Sequence, residues 1–248
     1  MAALVVVSAK PAQAETMIVA LSSHRIAITS NYTGAQLAVF GSVERDARTI
    51  ARADGYDIVI TVSGPRRMLV VREKEPIGPF WINRTQRRFA DTPAFITVSS
   101  NRPTTEIAAD EAGRRLKIGL ANALVPQLAG LELDAGEARF RDALIRVKGG
   151  GNLFTETQRG VTFLSPSLFT ARIDLPATAP TGNYDVEVLL LAGSVPLARQ
   201  NTNFELVKMG MEQRIAAAAS DNRWLYGLTT VLLALSFGWL ANLLLRRD

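Results

Sequence analysis

The chain has 248 residues, no cysteine, a single histidine (His24) and a formal net charge of +5. The missing cysteines exclude disulfides and a thiol nucleophile, and one histidine removes most metal chemistry and leaves only His24 for any Ser-His-Asp triad. The basic residues fall in pairs (Arg66-Arg67, Arg87-Arg88, Arg114-Arg115, Arg246-Arg247) with no run of five or more, which reads as solvated surface and speaks against nucleic acid as a partner.

Residues 1–14 read as the remnant of a secretory signal peptide. A short apolar run, Ala2 to Val7, is followed by Pro11 and by Ala12-Gln13-Ala14, a small-residue cleavage pattern. No positive region precedes the apolar run, and Pro11 is unsuited to a first strand.

Residues 15–103 form an expected immunoglobulin-like β-sandwich, on architecture alone, since the Cys-Trp-Cys hallmark is absent. Seven β-prone stretches are predicted: 17–21, 25–29, 36–43, 57–62, 68–73, 80–83 and 94–99. Turn signals such as Asp54-Gly55, Ser63-Gly64-Pro65 and Pro76-Ile77-Gly78-Pro79 separate them. The nearly continuous apolar run Ile58-Val59-Ile60-Thr61-Val62 suits a central strand.

Residues 104–151 read as a helical connector. Leu116, Leu120 and Leu124 recur at four-residue spacing, as do Phe140, Leu144 and Val147 at four and three. Pro126 ends the first helix, Gly149-Gly150-Gly151 ends the second, and Gly113 and Gly119 weaken the first. Residues 152–207 return to strands (160–164, 168–175, 184–191, 195–207) as a second small β unit that has to pack on something.

Residues 208–223 are predicted as a juxtamembrane helix, with Met211, Ile215 and Ala218 or Ala219 on one face. Residues 224–245 hold no charge over 22 positions, enough for one transmembrane helix with Trp224 and Tyr226 at its boundary. Arg246 and Arg247 then mark 246–248 as a cytoplasmic tail. The topology expected is single-pass in the cell inner membrane, ectodomain periplasmic and C-terminus cytoplasmic.

The segments Phe140-Arg141-Asp142-Ala143-Leu144, Gly160-Val161-Thr162-Phe163-Leu164, Leu168-Phe169-Thr170-Ala171-Arg172, Gly182-Asn183-Tyr184 and Leu225-Tyr226-Gly227-Leu228 with Gly238-Trp239-Leu240 carry a resemblance. The chain resembles a family of predicted alphaproteobacterial transmembrane proteins of unknown function, over most of its length. The resemblance carries no catalytic or binding residues across. It implies at most an accessory role beside a permease similar to exporters of sulfite or organosulfur anions.

Few residues invite chemistry. Phe80-Trp81-Ile82-Asn83-Arg84 brings aromatics beside Arg84, Arg87 and Arg88, a set able to grip an anion, a glycan or a partner. The commoner fate of such a Trp is a place in the sandwich core, with the arginines in a following loop. Gly238 and Asn242 share a face of the membrane helix, either for docking another helix or with Asn242 idle near the headgroups. Gly149-Gly150-Gly151-Asn152 lacks phosphate-loop spacing, and the carboxylates lack calcium-loop spacing. No cofactor or metal is expected. The leading expectation is a non-enzymatic, membrane-anchored periplasmic accessory or interaction module, its partners the lipid bilayer and an integral membrane permease. The alternatives are a periplasmic anion- or glycan-binding protein and an enzyme whose carboxylate pair is assembled from distant residues.

Overall fold

The computed structural model describes residues 15–28, 33–45, 55–124, 135–208 and 223–245. The expected signal peptide, the tail 246–248 and nearly all of the juxtamembrane stretch fall outside these residues. The chain divides into two units, residues 1–26 with 33–206 and residues 27–32 with 207–248.

The protein is mainly β. In chain order the strands are β1 (Glu15–Leu21), β2 (Arg25–Ile28), β3 (Gly34–Arg45), β4 (Asp57–Ser63), β5 (Arg66–Ile77), β6 (Phe80–Pro93), β7 (Ile96–Ser100), β8 (Phe154–Thr157), β9 (Val161–Phe163), β10 (Leu168–Pro176), β11 (Gly182–Ala192) and β12 (Val195–Lys208). They form a four-stranded sheet in the order β1-β3-β10-β9, a six-stranded sheet in the order β2-β12-β11-β4-β7-β8, and the two-stranded ribbon β5-β6.

Alternation decides which side chains go inside. On β10, Phe169, Ala171, Ile173 and Leu175 are buried while their neighbours face out. Leu37, Val39 and Val43 do the same on β3, which pairs β10 in register. Gly41 occupies the remaining inward site because the ring of Phe169 fills it: a Cβ there would lie 2.1 Å from the ring. The middle strand β4 is buried on both faces, as its unbroken apolar run requires. Ile58, Ile60 and Val62 pair with Leu190, Val188 and Val186 of β11. On the opposite face, Val59, Leu189, Leu191 and Val98 join a second cluster with Ile107, Ile118, Leu120, Leu124, Leu144 and Phe154 of the helical region and β8.

The two expected β units are not separate bodies. β3, from the first half of the sequence, pairs with β10, and β4 pairs with β11, so both sheets are woven from both halves. The cause is the one that leaves a four-stranded fragment unstable alone: an unpaired central strand leaves a row of backbone donors and acceptors open, and partners from the second half close it. β8, not anticipated, adds as a parallel edge to β7.

The expected helix over 104–124 is instead three short ones, α1 (Thr104–Ile107), α2 (Asp110–Leu116) and α3 (Leu120–Ala123). Extended Ala108, left-handed Lys117 (φ 57°) and Gly119 (φ 90°) break the run. Glu156 then caps α3, accepting from the Leu120 amide at 2.9 Å and from the Thr104 hydroxyl at 2.6 Å. The second expected helix is present as α4 (Ala135–Gly149).

In the second unit, α5 (Arg223–Leu245) is a helix of 23 residues. Trp224, Leu228, Val231, Leu232, Leu233, Leu235, Phe237, Trp239 and Leu240 are all exposed on it. Among the residues whose side chains are described, no helix is long and apolar enough to cross a membrane. Those residues leave out Arg223, Leu225, Tyr226, Thr229 and 243–245. The span at 224–245 is therefore an expectation from the sequence alone.

Candidate functional site

Trp81, Arg84, Arg87 and Arg88 lie together on β6 of the two-stranded ribbon. This corrects the sequence expectation for them. Trp81 is not in a sandwich core but 68% exposed, and the arginines are not in a loop but continue the same strand. The reason is where packing stops. Leu69, Val71 and Phe89 at the ribbon's base pack on the helix-side cluster, and Arg139 of α4 pairs with Glu73 at 2.7 Å. Beyond them every residue of β6 from Phe80 to Arg88 is exposed.

The ribbon turns at Gly78-Pro79, with Gly78 at φ +57°, a conformation a hairpin turn of this hand needs and an L side chain resists. From Pro76 to Asn83 it carries no charge. Cross-strand register places Ile77 opposite Phe80 and Glu75 opposite Ile82, with Pro76 opposite Trp81 on the other face. Ile77, Phe80, Trp81 and Ile82 are all exposed, Phe80 at 71%. A small apolar patch therefore wraps both faces of the tip.

Behind the tip the ribbon is basic, with seven Lys and Arg against three Asp and Glu between residues 66 and 93. Arg84 donates to Glu75 at 3.3 Å, and the Thr85 hydroxyl donates to the same carboxylate at 3.2 Å. Arg66 pairs with Asp91 at 2.9 Å. Arg67, Arg72, Lys74, Arg87 and Arg88 form no ion pair among the described residues. Such exposed pairs contribute roughly 0–1 kcal/mol, so the ribbon's field is governed by the unpaired cations.

At the ribbon's base a cavity of about 400 Å³ is lined by Val59, Leu189, Glu187, Lys117, Arg66 and Asp91. Its charges are largely spent on one another or on neighbours, since Arg66 meets Asp91 and Glu187 meets Arg199 at 3.0 Å.

The other candidates sit apart. His24 is exposed, and its Nδ1 donates to the Asn203 carbonyl at 3.0 Å while its own carbonyl accepts from the Glu205 amide at 2.9 Å, so it fastens an edge strand. Gly238 and Asn242 lie one turn apart on α5; Gly238 faces open space and Asn242 is exposed. Sequence reasoning missed Ile77, Phe80 and Ile82 as parts of one tip. The signal was present in the turn Gly78-Pro79 with apolar residues on both sides of it, bounded by charges at Glu75 and Arg84.

No curated protein matches the chain. A family model described as "Putative transmembrane protein (Alph_Pro_TM)" matches residues 16–247. The match spans nearly the whole sequence, and the chain belongs to this alphaproteobacterial family.

Proposed function

We propose that this protein is a membrane-anchored accessory module: α5 spans a bilayer once, and the β-rich remainder works outside it as an interaction partner, not a catalyst. The observation that carries the reading is α5 itself. Large apolar side chains are exposed along its described length and around its circumference, an arrangement tolerated only when lipid or protein covers them. At 1.5 Å per residue, 23 residues reach about 34 Å, which matches a hydrocarbon core of roughly 30 Å. Arg246 and Arg247 orient the C-terminus to the cytoplasm and the β body to the periplasmic side of an inner membrane.

An immunoglobulin-like sandwich is the architecture that goes with this reading. The orders β1-β3-β10-β9 and β12-β11-β4 are those of the ABED and GFC sheets of such sandwiches. The Tyr184 hydroxyl donates to the Pro180 carbonyl four residues upstream at 2.6 Å, as in the tyrosine corner of that architecture. Sandwiches of this kind serve many binding roles, so the order supports a module without naming its partner. An integral membrane permease is the partner the family resemblance implies.

Two experiments test the reading. Alkaline carbonate extraction should leave the full chain in the membrane pellet, and its release would remove the anchor. Purification in mild detergent with mass spectrometry should recover a stoichiometric membrane protein, and recovery of the chain alone would remove the accessory role. Arg87 and Arg88, without an ion pair among the described residues and on the same exposed strand as Trp81, favour a second reading, capture of an extended anionic envelope glycan along the ribbon. Substituting both arginines should then abolish glycan retention without changing the melting profile.

A further inference from the structure

The tip of the β5–β6 ribbon calls for an occupant, and we infer that it is the interfacial layer of an anionic lipid bilayer. The inference rests on the anchored reading above, because it needs the β body held near a membrane. Three observations choose lipid over a protein groove. The apolar residues lie on both faces of the tip, Ile77, Phe80 and Ile82 on one and Trp81 with Pro76 on the other. A groove covers one face of a ribbon, whereas a bilayer surrounds an inserted tip from every side. The tip also combines a Trp, the side chain that settles at headgroup level, with a charge-free stretch from Pro76 to Asn83.

The third observation is the spacing of charge. Glu75 and Arg84, paired with each other at 3.3 Å, bound the tip. Glu75 lies three residues behind Gly78 at the turn, so at about 3.3 Å per residue the charge-free tip is about 10 Å deep. That depth is the roughly 5–10 Å to which interfacial elements enter the boundary between headgroups and acyl chains. Arg72, Arg87 and Arg88 follow further back, unpaired, where lipid phosphates and their diffuse field attract them. The ribbon itself sets the limit of insertion. As a two-stranded sheet it leaves the outer edges of both strands without backbone partners among the described residues, so the hydrocarbon core rejects it and the tip stops at the interface.

The test uses the full chain with Trp224→Phe and Trp239→Phe, so that Trp81 is its one indole. The protein is reconstituted into phosphatidylcholine vesicles with and without phosphatidylglycerol. Vesicle flotation reports α5, and Trp81 fluorescence reports the ribbon, so the two readings fail separately. In anionic vesicles Trp81 emission should shift to the blue, brominated acyl chains should quench it and aqueous acrylamide should lose access. Arg87→Gln with Arg88→Gln should weaken the partition of the tip by up to about thirtyfold, the equivalent of about 1 kcal/mol for each cation that reaches the surface field. Trp81 open to acrylamide in every vesicle, with the protein still floating, would overturn the inference. So would Trp81 shielded from acrylamide and brominated lipid alike, which would mark a protein occupant. Quenching of equal extent in neutral vesicles, unmoved by the arginine substitutions, would overturn the anionic specificity.

Discussion

Asp57 begins the central strand with its carboxylate buried, and the Arg102 guanidinium meets it with two contacts of 2.6 Å. Asn101 completes the arrangement by accepting from the Ile58 amide at 2.9 Å and donating to the Tyr56 carbonyl at 3.2 Å. Arg102→Ala leaves a buried carboxylate short of donors. Since its guanidinium is partly exposed, the expected cost is about 2 kcal/mol, within the usual range for hydrogen bonds to charged groups. A fall in the urea midpoint at unchanged slope would show it; an unchanged midpoint would mean water replaces the guanidinium. Gly41→Ala tests packing instead. Its Cβ has no space beside Phe169, so overpacking should cost about 1–3 kcal/mol, read by the same measurement.

At the scale of elements, the ribbon is two things in one hairpin. Its base belongs to the core and its tip does not. Phe89→Ala should lower the melting temperature, with a loss of about 2–4 kcal/mol for a partly buried aromatic. Phe80→Ser or Trp81→Ser should stay within about 0.5 kcal/mol of the parent, since exposed side chains away from packing rarely matter more. A tip substitution as damaging as Phe89→Ala would show that the tip folds back on the body. The contrast also shows what the sequence could reveal. Strands with strict alternation, such as β10, and the unbroken run of β4 were legible because their period records which faces are buried. The ribbon was not. Phe80-Trp81-Ile82 has the same apolar signature whether it lies in a core or on a free tip, and local sequence cannot report where tertiary packing ends. The break at Lys117 was hidden for a related reason: a left-handed residue other than Gly or Asn leaves little mark in sequence. Gly119 did leave one.

At the scale of the whole molecule, the sheets depend on pairings between distant parts of the chain. Residues 34–45 wait for residues 168–176, and residues 57–63 wait for residues 185–191. The β5–β6 ribbon apart, neither larger sheet can be completed before the late segment is delivered. The chain thus has a high contact order, and folding that relies on such distant partners is slow. While residues 185–191 are still to come, the apolar strand β4 presents an open edge on one side. A fragment ending at residue 151 should therefore aggregate, not fold, and a soluble, protease-resistant fragment would contradict the pairing. Under the proposed periplasmic placement, the same dependence would carry an advantage in timing: the polypeptide would stay unfolded, and so threadable through a translocation pore, until almost all of its β body had been made.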